Sequence, residues 1–283
     1  MRKTSYKKEY CFLNGRILPV EKAKILITDA GVLRGYAIFD SIAAQGDRII
    51  FFDEHYARFL KSANIMRLKA VFPKTRVRKI IEALLRKNGY PSSRIRIVLT
   101  GGALIGSLRY DTRSANFFIL VQNAETPHKE SYLKGVKLIA AECKRELPNA
   151  KTNNYITAIH LQPLRMRAGA AEILYYFNNN VLEATTSNFF IVKGNTLITP
   201  KENILEGIVR GKIIQCAKKF MKVEERNVKM KELKTADEAF ITSTYKKVMP
   251  VVKIDNYTIG NGKIGPNTKI LMERYAELER HGR

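Results

Sequence analysis

The sequence predicts a mixed α/β (α+β) protein of two domains, and three observations lead to that expectation. The chain has 283 residues, more than one ordinary domain needs. Segments with helical apolar spacing and segments with the alternation of strands occur in both halves. These segments follow one another without a strict strand–helix–strand rhythm, which favours mixed or antiparallel sheets.

The first half predicts two hairpins, two helices and two further strands. The hairpins cover 10–20 and 37–52, the helices 53–68 and about 75–87, and the strands about 94–100 and 116–122. Asp53 is placed to cap the first helix, and Asn88-Gly89 is placed to end the second. A glycine-rich connection at 101–115 joins the two strands.

The second half repeats this mixture with different spacing. Strands are expected at 136–142, within 172–199, and at 221–228, 238–243 and 251–255, with helices at about 154–168, at about 207–220 and after Pro266. The polar segment 123–134 is the best candidate for a linker. We therefore predict a small α/β domain at 1–122 and a larger cofactor-binding domain at 135–283.

Composition excludes several classes of protein. Fifty Lys and Arg against 26 Asp and Glu give a net charge of +24, which attracts anions. The basic residues are interspersed and lack interleaved aromatic residues, so no specific nucleic-acid binding is expected. No apolar run is long enough for a membrane span, and scattered histidines predict no metal site. The three cysteines are far apart, which suits reduced thiols and a cytoplasmic location.

Five motifs follow one another along the chain. They are RGYAIFDS from Arg34, HYARFLKSA from His55, AKTNNY from Ala150, EATTSNFFIV from Glu183 with ILEGIVR from Ile204, and ITST from Ile241. In their order and spacing the chain resembles the class IV aminotransferases, which have fold type IV and use pyridoxal 5′-phosphate (PLP). The resemblance extends from about residue 10 to 275. It implies PLP as cofactor, an amino acid and a 2-oxo acid as substrates, and a homodimer.

The resemblance also implies roles that suit the chemistry of PLP. Lys151 is the expected catalytic residue and holds the cofactor aldehyde as a Schiff base. Glu183 offers a carboxylate to the protonated pyridine nitrogen. Arg58 offers a guanidinium to the phosphate, and helix N-terminal amides and hydroxyls complete its binding. The predicted cofactor-binding residues are Arg58, Lys151, Glu183, Thr186, Ser187, Gly207, Ile208, Val209, Ser243 and Thr244.

Two positions depart from the pattern of the family. Val209 stands where relatives often have Thr, so one hydroxyl for the phosphate is absent while the backbone amide remains. Ala43 stands where relatives often have Arg or Lys. The second departure concerns a cation that would face the substrate.

Arg34, Arg96 and Phe39 are the predicted substrate-binding residues. Arg96 lies in mid-strand, where alternation turns it away from Ile95 and Ile97. The RGY motif together with this strand arginine resembles a subgroup of D-amino acid aminotransferases. The expected reaction is therefore amino transfer from a D-amino acid to 2-oxoglutarate or pyruvate.

Other interpretations of the sequence stay open. Arg34 and Arg96 can also be ordinary solvated charges of a basic protein. A branched-chain L-aminotransferase is the first alternative, and an aminodeoxychorismate lyase is the second. A basic nucleic-acid-binding protein with a degenerate, inactive fold is the alternative outside enzymes.

Overall fold

The chain forms two compact units. The structure is a computed structural model that describes residues 9–69, 72–125 and 127–281. Described residues up to Glu125, together with Ala150–Asn154, make the first unit, and the remaining described residues make the second. The predicted domain bounds do not include the return of Ala150–Asn154 to the first unit, and they stay a prediction.

The first unit is an antiparallel sheet with helices on one face. Its elements are β1 (Tyr10–Leu13), β2 (Arg16–Pro19), α1 (Ala30–Leu33), β3 (Ala37–Gln45), β4 (Arg48–Ile49), α2 (Phe52–Ile65), α3 (Lys74–Asn88), β5 (Ser92–Thr100), β6 (Ala103–Ile105), β7 (Arg109–Asp111) and β8 (Phe117–Asn123). The six-stranded sheet has the order β2-β1-β8-β5-β3-β4. Its core contains Ile38 of β3, Phe59 of α2, Ile81 of α3 and Ile95 of β5.

Both predicted hairpins and both helices of this unit are confirmed, with two corrections. Asp53 is not the cap of α2, because the helix begins one residue earlier, after Phe51 in a left-handed conformation with φ 50°. Burial of Phe51 and Phe52 fixes that start, and Asp53 instead pairs with Lys74 at 3.3 Å. Gly89 ends α3 in the predicted left-handed conformation.

The second correction concerns the glycine-rich connection at 101–115. The sequence predicted no strand within it, but β6 and β7 pair there as a short antiparallel hairpin. Gly102 has φ +83°, and a Cβ there would lie 2.3 Å from the carbonyl oxygen of Asp111. Only glycine allows the chain to turn into this hairpin.

The second unit is built around a larger mixed sheet. Its elements are α4 (Lys129–Lys134), β9 (Val136–Glu142), α5 (Ile156–His160), α6 (Gln162–Arg167), β10 (Glu172–Phe177), β11 (Asn180–Ala184), β12 (Asn188–Lys193), β13 (Thr196–Thr199), α7 (Ile208–Ala217), β14 (Lys222–Glu225), β15 (Val228–Lys229), β16 (Glu238–Ser243), β17 (Lys247–Ile254), β18 (Tyr257–Thr258) and α8 (Pro266–His281). The sheet runs β14-β13-β12-β16-β17-β9-β10-β11-β15, and β18 pairs with β17.

This sheet confirms the predicted fold class. β9 pairs in parallel with β10 and with β17, whereas β12 pairs with β16 in antiparallel. Leu174, Phe189 and Ile241 are buried in its core. Within the described ranges, no helix is both long and apolar enough to cross a membrane.

One prediction for the second unit is wrong in detail, and another is refined. The helix expected at 154–168 is divided into α5 and α6, and Pro163 lies in the first turn of α6. Proline has no N–H to continue the ladder of α5, so the first helix ends before it. The segment predicted as a linker contains the short helix α4.

Candidate active site

Lys151 lies in an irregular segment that the first unit holds by its backbone. The N–H of Phe39 in β3 donates to the Lys151 carbonyl at 2.9 Å, and the Lys151 N–H donates to Ser62 Oγ of α2 at 3.0 Å. Thr152 forms an isolated bridge with Ile38, and Ala150 is buried in the core. The segment is therefore fixed against β3 and α2.

The Lys151 side chain reaches the aromatic ring of Phe39. Its Nζ lies 4.7 Å from the ring centroid, and the guanidinium carbon of Arg96 lies 5.1 Å from the same centroid. Ile95 and Ile97 are fully buried whereas Arg96 is exposed, so the predicted alternation along β5 is confirmed. Three predicted residues, Phe39, Lys151 and Arg96, thus lie together.

Arg34 lies elsewhere in the first unit. It follows the last residue of α1 and is exposed, and its Nη1 donates to the carbonyl of Leu33 at 2.8 Å. Its predicted substrate contact stays a prediction.

Arg58 takes part in a buried charge cluster that the sequence analysis did not identify. Its Nε and Nη2 each lie 2.8 Å from a carboxylate oxygen of Asp40 in β3. His55 Nδ1 lies 2.7 Å from Asp40 Oδ1, and Asp40 and His55 are both buried. Planar pairing of this kind fixes the orientation of a guanidinium. A charged residue within the apolar alternation of β3 was the available signal.

Electrostatics in this cluster are governed by burial and the ion pair together. Burial alone would raise the pKa of Asp40, but the Arg58 charge and His55 outweigh it and hold that pKa below its usual value. Burial lowers the pKa of His55 more than the Asp40 carboxylate raises it. At neutral pH the cluster therefore contains an ionised Asp40 and a neutral His55 beside the guanidinium of Arg58.

Glu183 lies in β11 of the second unit and is also buried. Arg145 donates to its Oε1 from Nε at 2.8 Å and from Nη2 at 2.5 Å. The Leu205 N–H donates to its Oε2 at 3.0 Å, and Asn188 Nδ2 lies 3.5 Å from the same oxygen. Hydrogen bonds to a carboxylate favour its charged form, which is the form that a pyridinium N–H needs. No motif in the sequence marks Arg145 as the partner of Glu183.

The start of α7 offers backbone N–H groups. Gly207 precedes the helix, and Ile208 and Val209 are its first two residues. A Cβ on Gly207 would lie 1.9 Å from Oδ1 of the buried Asn188, so a larger residue there requires the Asn188 side chain to move. Val209 has a buried side chain, which leaves its amide as the polar group available at this position. The N-terminus of a helix attracts anions such as phosphate.

The hydroxyls of Thr186 and Ser187 are turned to a buried carboxylate. Thr186 Oγ1 donates to Glu172 Oε2 at 3.1 Å, and Ser187 Oγ donates to Glu172 Oε1. Lys246 Nζ lies 2.9 Å from Glu172 Oε1. Burial would raise the pKa of Glu172, but the Lys246 charge and the hydroxyls of Ser187 and Thr185 lower it overall. Each hydroxyl has one proton, so neither also donates to a phosphate in this arrangement.

Ser243 and Thr244 lie where β16 ends. Ser243 Oγ accepts from the Lys246 N–H at 3.3 Å, and both residues are half-buried. Like the other predicted cofactor contacts, theirs stay predictions.

Comparisons with known proteins identify the family of the chain. A family model described as amino-transferase class IV matches residues 37–254. A probable branched-chain-amino-acid aminotransferase of Aquifex aeolicus is 32% identical over 298 residues, which cover 96% of this chain and 92% of the relative. A D-alanine aminotransferase of Bacillus licheniformis is 30% identical over 261 residues, with 90% and 92% covered.

Solved structures agree as well. The branched-chain amino acid aminotransferase of Thermobaculum terrenum, in its PLP-bound form, matches at a TM-score of 0.85 and 26% identity. The match covers 96% of this chain and 94% of that one.

Fold and residues together define an enzyme of the PLP-dependent kind. The chain belongs to the class IV aminotransferases, and its cofactor is PLP. Each unit carries groups whose chemistry suits that cofactor: the first has the amine of Lys151 and the guanidinium of Arg58, and the second has the buried carboxylate of Glu183 and the amides at the start of α7. Membership of this family supports an enzyme over a nucleic-acid-binding protein.

Proposed function

We propose that this enzyme transfers the amino group of a D-amino acid to a 2-oxo acid, either 2-oxoglutarate or pyruvate. The observation that carries this proposal is the charged face of β5. Arg94 and Arg96 share that face, opposite Ala43 and Ser41 of β3. Charged guanidinium groups suit carboxylates and disfavour the apolar side chain of leucine or valine.

Lys151 is the proposed catalytic residue. When bound, PLP withdraws electrons from the substrate carbon that carries the amino group. The Nζ of Lys151 removes the proton from that Cα, and it must be uncharged to do so. Arg96 holds the substrate α-carboxylate, and the Phe39 ring contacts both cations, with its centroid 4.7 Å from Lys151 Nζ and 5.1 Å from the guanidinium carbon of Arg96. Arg34 is proposed as a second ligand of the α-carboxylate.

The cofactor is proposed to be held at its two polar ends. Arg58, the amides of Ile208 and Val209, and Thr244 bind the phosphate, while Glu183 accepts the pyridine N–H. Support comes from the orientation of Arg58 by Asp40 and from the ion pair between Glu183 and Arg145. Thr186, Ser187, Gly207 and Ser243 shape the turns beside these groups.

Borohydride labelling tests the role of Lys151. Reduction of the PLP-loaded protein followed by peptide mapping should attach the cofactor to Lys151. A label on another lysine would contradict the assignment.

A branched-chain L-aminotransferase is the second candidate. The relative from Aquifex aeolicus supports it, because that protein carries this name and is 32% identical to the chain. Both candidates need PLP and Lys151, so they differ only in substrate.

Substrate assays separate the two candidates. The protein loaded with PLP is given 2-oxoglutarate with D-alanine or with L-leucine, and the handedness of the glutamate formed is determined by chiral chromatography. We expect turnover with D-alanine and formation of D-glutamate. Turnover with L-leucine alone would establish the branched-chain activity instead.

We also propose a cytoplasmic homodimer. Leu26, Ile27 and Val32 of the first unit are large apolar residues with 60–80% of their surface exposed, a group that a second copy could cover. Cys11, Cys143 and Cys216 are free thiols, which suits a reducing compartment. Light scattering coupled to gel filtration tests the dimer, and a monomer at micromolar concentration would exclude it.

A further inference from the structure

One face of α2 carries three polar residues at helical spacing. His55, Arg58 and Ser62 follow one another at intervals of three and four residues, which brings them to the same side of the helix. His55 and Arg58 contact Asp40 of β3. Ser62 is fully buried, and its Oγ accepts the backbone N–H of Lys151 at 3.0 Å.

The hydrogen bond from Lys151 to Ser62 replaces a bond that regular structure would supply. Lys151 lies outside any helix or strand, and its N–H donates to the side chain of Ser62. On the other side of the residue, the Phe39 N–H donates to its carbonyl at 2.9 Å. Ser62 and Phe39 together hold the two backbone polar groups of Lys151 and thereby fix the position of its Cα.

This fixation matters because a lysine side chain is long and flexible. Four rotatable bonds separate the Cα of Lys151 from its Nζ, so Nζ can occupy many positions. A freely moving backbone would widen that range of positions further. With the backbone held, Nζ reaches the Phe39 ring at 4.7 Å. Arg58 lies on the same helix as Ser62, four residues earlier or about 6 Å along the axis.

We propose that Ser62 is a positioning residue for PLP binding. Its Oγ holds the Lys151 backbone so that Nζ meets the cofactor aldehyde, while Arg58 of the same helix holds the phosphate. The inference rests on the proposed function, because it takes the roles of Lys151 and Arg58 from it. α2 then sets the spacing between the two anchors of the cofactor.

A comparison of two forms of the cofactor tests this proposal. Pyridoxamine 5′-phosphate carries an amine in place of the aldehyde, so it makes the phosphate and ring contacts of PLP but cannot bond to Lys151. Both forms are titrated into the apo-protein of the wild type and of Ser62→Ala. Loss of the acceptor for the partly buried Lys151 N–H should weaken PLP binding by about tenfold or more. Binding of pyridoxamine 5′-phosphate should stay as in the wild type.

Ser93→Ala is the matched control. Ser93 lies in β5 and is also buried, and its Oγ has no hydrogen-bond partner among the described residues. This variant should bind both forms like the wild type. Ser62→Cys keeps a weaker acceptor and should give PLP binding between the wild type and Ser62→Ala, which preserves the test if Ser62→Ala fails to fold.

A Lys151→Ala background separates positioning from a general effect on the fold. There, PLP can no longer bond to the lysine, so adding Ser62→Ala should change its affinity no further. The proposal would be overturned if Ser62→Ala weakened PLP binding as strongly in the Lys151→Ala background as in the wild type. It would also be overturned if Ser62→Ala weakened the binding of PLP and of pyridoxamine 5′-phosphate equally. Unchanged PLP binding in Ser62→Ala would overturn it too. If borohydride fails to label Lys151 in the wild type, the proposed function fails as well, and that result is distinguishable from the others.

Discussion

Asp40→Asn provides a sharp test of the buried charge cluster. The substitution keeps the size of the side chain and removes its charge, while Arg58 stays charged beside it. Asp40 is fully buried and Arg58 is 9% exposed, so water screens the pair little. Removing one partner of a buried ion pair costs about 3–5 kcal/mol, because the other charge is left uncompensated.

Urea denaturation of the apo-protein measures that cost. With a denaturant slope of about 3 kcal/mol per M, the unfolding midpoint should fall by about 1 M or more. Asp111→Asn is the control, because Asp111 pairs with an exposed arginine, Arg113, and an exposed pair contributes little. A midpoint for Asp40→Asn that moves no further than that of Asp111→Asn would refute the reasoning.

A double variant identifies the source of the effect. Arg58→Met added to Asp40→Asn removes the guanidinium that the first change left uncompensated. The double variant should therefore be more stable than Asp40→Asn alone. If the double variant is less stable than the wild type by the sum of the losses measured for Asp40→Asn alone and Arg58→Met alone, the two residues do not interact as the contacts indicate.

Three further outcomes follow from the contacts described above. Glu183→Gln should keep bound PLP but lose most turnover, since an amide cannot stabilise a protonated pyridine. A variant that shows the spectrum of bound cofactor and also a near-wild-type rate would contradict this. Gly207→Ala should lower the thermal midpoint because its Cβ would meet Asn188 Oδ1 at 1.9 Å, whereas Gly211→Ala in the same helix meets nothing within 4 Å and should raise it. The pKa of His55 is lowered in the folded protein, so its contribution to stability is present above the ordinary histidine pKa of about 6.5 and is lost as pH falls below it. The drop in urea midpoint between about pH 7.5 and 5.5 should accordingly shrink in His55→Gln.

Local signals in the sequence were sufficient for most elements of the fold. Alternation identified β3 and β5, and Gly89 marked the end of α3. The start of α2 was missed because burial of Phe51 and Phe52 outweighed the capping preference of Asp53. In that case, tertiary packing prevailed over a local propensity.

Pairs of residues that are far apart in the chain were less accessible. Lys151 and Arg58 could be singled out through motifs, yet their partners Ser62 and Asp40 could not. Ser62 and Lys151 are separated by 89 residues, and no periodicity within either segment encodes their contact. The Glu183 carboxylate was expected, whereas Arg145 lies in a run of charged residues, and no motif singles it out.

Phe39 and Asp40, two neighbouring residues of β3, explain how the first unit positions both Arg58 and Lys151. Successive side chains of a strand point to opposite faces, so Asp40 meets Arg58 of α2 while Phe39 faces the other way, toward Lys151 and Arg96. The strand is paired with β5 along its whole length, which makes this short stretch rigid. Any change that shifts β3 by one residue would exchange the two faces and separate Arg58 and Lys151 from their contacts at once. The positions of both groups therefore depend on the register of one strand.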